Sequence, residues 1–254
     1  MPTEEQPQQS ALGEAAHANV PEASPQAATH AGLSEDAALA LLARADLLAS
    51  ELEALARNRE VLRSRKISIA IVMHAHTPRH VSLPLIRNLF TLELMKVTLH
   101  PMTPADIKRA GEEVMMTRLP GVSVGERLTL ARRASGRVAA ALLCDAEPRI
   151  IRAALDNGRL VEADVVKAMM RQKSPAAFVA AVCHHPGWSV RREVRKAALR
   201  NQHTPLGVVL QFARGLHPGE LREILNGSKL RQNVRDYLLR ELERQGAASA
   251  AGHS

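Results

Sequence analysis

Four times this chain sets a hydroxyl residue directly before a proline and follows the pair with apolar residues at helical spacing: Thr77-Pro78, Thr103-Pro104, Ser174-Pro175 and Thr204-Pro205. Proline suits the first helical position, where its missing N–H has no intrahelical partner and its φ is already helical. A serine or threonine hydroxyl can accept a hydrogen bond from an N–H of the first turn. The pair therefore reads as a helix start, capped by the hydroxyl and led by the proline. Ser24-Pro25 has no apolar-periodic sequel, so the dipeptide alone carries no such signal. Short polar or glycine-containing joints separate the segments, which predicts an all-α chain of short stacked helices, an α-solenoid.

Self-similarity supports a repeat. Met73-His74-Ala75-His76-Thr77-Pro78 resembles Arg200-Asn201-Gln202-His203-Thr204-Pro205, and Ala153-Ala154-Leu155-Asp156-Asn157 matches Ala197-Ala198-Leu199-Arg200-Asn201. A fainter copy runs through Ala43-Arg44-Ala45-Asp46-Leu47. Each unit is helix, tight joint, helix, and none can bury its apolar stripe without a neighbour. Helices are expected near 36–44, 49–62, 65–73, 79–89, 91–99, 104–117, 124–133, 136–143, 147–155, 162–171, 175–183, 189–200, 205–214, 218–225 and 230–244. Ser34 and Ser135-Gly136 mark further starts, and Leu119-Pro120-Gly121 is the sharpest interior break, a candidate lobe joint at 119–122.

Composition sets the core. The chain is 46% apolar with five aromatic residues, Phe90, Phe178, Trp188, Phe212 and Tyr237. Leu, Val, Ile, Ala and Met must fill the interior, which suits repeated helix packing better than an aromatic-lined pocket. Residues 1–33 hold eight Ala, four Pro and four Gln without a periodic apolar face, and are expected to be a disordered acidic leader before a helical domain over 34–244 and a frayed tail over 245–254. No secretory signal pattern and no membrane span is evident. The four glutamates of 1–33 contribute −4 to a net charge of +8, so the remainder carries +12. Cys144 and Cys183 are not at metal-ligand spacing, which favours a reducing, cytoplasmic setting.

His184-His185-Pro186-Gly187-Trp188-Ser189-Val190-Arg191-Arg192-Glu193-Val194, running on to Asn201-Gln202-His203-Thr204-Pro205, resembles the leucine-rich repeat variant and is similar to HEAT-type repeats. In those families a His-Pro…Val-Arg opening leads one helix and an Asn-Pro-x-Thr-Pro joint leads the next. Gln202 stands where proline is usual. The likeness is good over 144–215 and partial over 65–90, under half of the chain. It implies a right-handed superhelix of stacked short helices and a binding role in the bacterial cytoplasm. The cysteine cluster that holds iron and sulfur in some variant-repeat proteins is missing, so that cofactor is not carried over.

The strongest surface feature is the 189–200 segment. At about 100° per residue, Arg191, Arg192, Arg195 and Lys196 fall within about 140° of arc, away from Val190, Val194 and Ala197, and Arg200 extends the row. Guanidinium groups match phosphate geometry, so the row is a candidate anion or nucleic-acid contact, as against an ordinary solvated face. Arg149, Arg152, Arg132, Arg133, Arg137 and Arg159 extend it along a stack, and Arg63, Arg65 and Lys66 form a separate patch. Too few aromatics are present for base-stacking platforms. His74, His76 and His80, and Cys183, His184 and His185, are read first as joint residues and second as metal ligands. Trp188 is read as a staple on the helix it precedes, or as a ligand anchor. No phosphate loop, dinucleotide turn, nucleophile elbow or zinc-protease helix occurs. The expectation is a non-enzymatic protein-binding scaffold without cofactor or metal; the alternative is a nucleic-acid binder using the Arg-rich face.

Overall fold

The computed structural model describes residues 33–251, with side chains through 244. The expected leader, apart from Leu33, lies outside the described residues. Among them are sixteen α-helices and no strand. The first eight are α1 (Glu35–Leu42), α2 (Ala49–Arg57), α3 (Arg59–Leu62), α4 (Arg65–Met73), α5 (Arg79–Asn88), α6 (Thr91–Leu99), α7 (Ala105–Arg118) and α8 (Val124–Arg133). The rest are α9 (Gly136–Leu142), α10 (Pro148–Leu155), α11 (Glu162–Met169), α12 (Ala176–His184), α13 (Arg192–Arg200), α14 (Leu206–Arg214), α15 (Pro218–Asn226) and α16 (Gln232–Ala251).

Three boundaries differ from expectation, each for a local reason. The helix expected over 49–62 is two helices, because Asn58 Oδ1 accepts from the N–H groups of Glu60 (3.0 Å) and Val61 (3.3 Å) and starts α3 afresh. The α13 helix begins at Arg192, since Arg191 is extended at φ −77°, ψ 132°. The last helix continues past 244 to Ala251 through a run rich in alanine, the strongest helix former.

The helices stack in two layers. In one, α4, α6, α8, α10 and α12 pack each on the next; in the other, α5, α7, α9, α11, α13 and α15 do the same. Apolar side chains meet between the layers. One buried cluster runs from Val72 to Leu242, and a smaller one from Ala38 to Ile71, with Leu85 against both. The Leu119–Gly121 segment is a single 3-10 turn that prolongs α7, and the larger cluster passes across it without interruption.

The hydroxyl–proline pairs do start helices, but their chemistry is not the expected one. Pro78, Pro104, Pro175 and Pro205 occupy the cap positions, and no side chain caps these four helices. The buried hydroxyls turn backwards. Thr77 Oγ1 donates to Ile71 O (2.6 Å), Thr204 Oγ1 to Ala198 O (2.6 Å), and Ser174 Oγ to the carbonyls of Ala168 and Met169. They close the C-terminus of the helix before, adding a bond to last-turn carbonyls, of which Ile71, Ala198 and Ala168 also accept an N–H three residues on. Thr103 is the exception, its buried hydroxyl having no partner among the described residues. An N-cap would welcome aspartate at 204; a buried donor facing a carbonyl would not. Thr204→Asp should therefore cost about 2 kcal/mol or more and Thr204→Val about 1 kcal/mol, read as urea midpoints, and an Asp variant as stable as wild type would restore the N-cap assignment.

The joints carry a second shared device. A side-chain acceptor takes the N–H two residues on: His74 from His76, Asp145 from Glu147, Asn157 from Arg159, His185 from Gly187, Asn201 from His203 and His217 from Gly219. The other end of several of these side chains reaches the adjoining repeat. His74 Nε2 pairs with Arg44 O (2.9 Å), Asn157 Nδ2 donates to Ala131 O (2.8 Å) and Asn201 Nδ2 to Met169 O (2.6 Å), over 30, 26 and 32 residues.

Candidate functional site

Helix α13 lies between α11 and α15, and that position decides what its cations do. Arg191 sits 4.3 Å above the Trp188 ring and pairs with Glu162 at 3.2 Å. Arg192 pairs with Glu220 at 2.8 Å, and Lys196 with Glu220 at 2.6 Å and Glu193 at 3.0 Å. Arg195 Nε donates to Ser189 O at 2.8 Å. Four of the five cations of the expected row are thus engaged within the chain, and two of the three acids, Glu162 and Glu220, come from the flanking helices. Arg195, which also lies 5.4 Å over the Phe212 ring, and Arg200 make no ion pair with a described residue. A helical wheel of one segment cannot show carboxylates supplied from 28 or 29 residues away.

The same rule holds along the stack. Lys66 pairs with Glu35 (2.8 Å), Arg65 Nε with Glu93 (2.7 Å), Arg63 with Glu60 (2.9 Å) and Arg79 with Asp106 (2.8 Å). The Arg63, Arg65 and Lys66 patch is therefore neutralised by its neighbours. Arg149 and Arg152 stand on α10, in the opposite layer from α13. Arg149 is 3.6 Å from Glu147, and exposed Arg152 borders an open groove of about 590 Å³ between α10 and α12, with Asp156, Ala177, His184 and His185. The structure does not bring Arg149 and Arg152 into one row with Arg191–Arg200. Arg137 is tied to Glu112 and Glu113, and Arg159 donates to Arg133 O.

Lys196, then Arg192, hold the Glu220 carboxyl below its ordinary value of 4.5, and Arg65 does the same for Glu93. A lowered folded-state pKa gives stability that is full above about 4.5 and is lost as pH falls through the folded value. Acidification below about pH 4 should therefore loosen the α13–α15 seam. Glu220→Gln should flatten that part of the stability-versus-pH curve while costing little at neutral pH, because exposed pairs contribute modestly. Thermal melts at pH 7 and pH 3.5 check this; an unchanged pH slope in the variant would remove the seam from the acid response.

His74, His76 and His185 serve the joints, while Cys183 lies in the buried cluster. Besides its bond to Arg44 O, His74 accepts from the His76 N–H, and His76 Nδ1 lies 3.0 Å from Leu47 O. His185 Nε2 pairs with Asp156 Oδ1 at 3.0 Å. Burial pushes the Cys183 thiol up to about 12, which keeps it neutral and a poor ligand or nucleophile. No cluster of three or more potential metal ligands occurs among the described residues. Trp188 is 6% exposed, and its Nε1 donates to Leu155 O at 2.8 Å. It anchors one repeat to the preceding one, too deeply buried for a ligand anchor.

One surface was not singled out from the sequence. The segments that follow α11, α13 and α15 lie side by side: Lys229 N donates to Arg200 O at 3.0 Å, and Asn201 reaches Met169 O. They border two adjoining depressions that share Gln202 and His203, a shallow one of about 20 Å³ and a deeper one of about 350 Å³, which together form a surface groove. Arg171, Arg200 and Lys229 stand at its border at intervals of 29 residues, joined by Arg231. That interval was the available signal, visible once the repeat length is known. No protein-family model, curated protein or solved structure matches this chain.

Proposed function

We propose that the chain is a non-enzymatic scaffold of the bacterial cytoplasm, a right-handed α-solenoid of the HEAT or leucine-rich repeat variant kind, that binds another protein in its inter-helix grooves. The observation that carries this reading is the presence of open grooves between successive helices of a layer, one between α10 and α12 and another, in the opposite layer, between α5 and α7, each lined by mixed apolar and polar side chains. Extended grooves of stacked repeats suit an elongated protein segment. The rival reading, a phosphate-backbone contact along Arg191–Arg200, is weakened because Glu162 and Glu220 already occupy most of those cations. The buried state of Cys183 and the use of the joint histidines in structural bonds leave no convergent acid–base–nucleophile group among the described residues to support an enzyme reading. Affinity capture on the tagged full chain from source-cell lysate, with and without nuclease, tests it. A protein recovered at unchanged yield after nuclease supports the scaffold; capture abolished by nuclease transfers the function to nucleic acid.

A further inference from the structure

Resting on the protein-binding reading, we propose that the groove along the ends of α11, α13 and α15 is a docking site for an acidic, extended peptide segment of a partner protein, anchored by a few apolar side chains. The argument begins with charge. Arg171, Arg200, Lys229 and Arg231 border the groove, none makes an ion pair with a described residue, and no aspartate or glutamate lines either depression. At several other seams a carboxylate on the adjoining helix meets the cation, whereas these cations on successive joints face none. The C-terminal poles of α11 and α13 take up part of the charge, which still leaves like charges on neighbouring joints.

Spacing comes next. Stacked helices lie about 8–10 Å apart, so cations at one position per repeat recur at about that interval. A peptide in the extended polyproline II form advances about 9 Å per turn of three residues and returns every third side chain to one face. Carboxylates at every third residue therefore meet Arg171, Arg200 and Lys229 in register. The groove also offers what a phosphate backbone does not need: Met170 is 46% exposed and Leu206 55% exposed beside the cations, above a floor that includes Val209 and Leu230. Apolar anchors inside a basic rim select an acidic peptide carrying leucine or a similar residue between its acids.

The test uses the full chain and three fluorescein-labelled probes. The first is a nine-residue peptide with Glu at its first, fourth and seventh positions and Leu at its second and fifth. The second has the same composition with the three Glu consecutive, and the third is a 20-base-pair DNA duplex. The spaced peptide should bind best. Its affinity should fall about tenfold in the R200Q/K229Q double variant and several-fold in Leu206→Ser, at unchanged melting temperature. Four results overturn the proposal: no binding of the spaced peptide, no loss in R200Q/K229Q, equal binding of the two peptides, or duplex DNA bound more tightly through the same two residues. A double variant that melts lower yet keeps peptide affinity assigns the cations to helix ends instead. If R200Q/K229Q still captures a nuclease-resistant protein partner while the peptide result fails, the groove is refuted and the scaffold reading stands.

Discussion

Gly136→Ala should lower the unfolding free energy by about 3 kcal/mol, an unusual loss for one methyl group. Gly136 opens α9, and a Cβ there would lie 2.1 Å from Arg159 O, 3.0 Å from the carbonyl carbon of Arg159 and 3.6 Å from Leu160 Cα. All three are backbone atoms, so no side chain can rotate away. Nor can the obstructing segment retreat, because it follows Asn157, whose amide is bonded to Ala131 and Ala134. Gly125, near the start of α8, has no neighbour within 4 Å of its virtual Cβ. Gly125→Ala should be neutral or stabilise by about 0.5 kcal/mol, since it narrows the unfolded ensemble and favours helix. Urea unfolding of the two variants side by side separates close approach from a general glycine effect; equal midpoints would mean that α9 does not rest on the 157–160 joint.

Asn157→Leu should cost a similar amount, about 3 kcal/mol, by the opposite mechanism of leaving polar groups behind. Asn157 is 3% exposed and fully used: Nδ2 donates to Ala131 O (2.8 Å) and Ala134 O (3.1 Å), while Oδ1 accepts from the Arg159 N–H (2.8 Å). Leucine matches the shape and satisfies none of these. Asn157→Asp retains the acceptor but aims a carboxylate at two carbonyl oxygens, so it should be less stable at pH 7 than at pH 4, where the acid is protonated and can donate. That pH trend is opposite in sign to the one expected from Glu220, so melts across this range distinguish them. A pH-independent Asn157→Asp variant would show that the amide is not pressed against those carbonyls.

The sequence carried the helices well and their bonding poorly, for a physical reason. Apolar spacing and proline are local, and they located nearly every helix, including those led by Pro78, Pro104, Pro175 and Pro205. A hydroxyl beside a helix boundary is ambiguous, because Thr204 can cap the helix ahead or close the one behind, and only the fold places Ala198 O within 2.6 Å. The wheel of the charged face could not show which of its cations are paired, for the same cause at longer range. Arg191 and Arg192 meet carboxylates on α11 and α15, neither of which lies on the wheel of α13. Asn201 and Asn157 stand in the joints of the matched segments, and their role in holding the preceding unit depends on the register between units. The basic border of Arg171, Arg200 and Lys229 was written in the sequence at a fixed interval, but an interval has meaning only once the length of the repeat is established.

The inter-unit joint bonds and many of the seam pairs link residues 23 to 33 apart, from Asn157 with Ala134 to Trp188 with Leu155. Tertiary structure in this chain is therefore written at the range of about one unit. Contacts of low sequence separation form quickly, since little loop entropy is lost in closing them. A segment leaving the ribosome needs only the unit just before it as a template, and each completed unit offers the next one its carbonyls and carboxylates. Assembly then runs from the N-terminus as the chain is made, with only the newest apolar face exposed to the crowded cell at any moment.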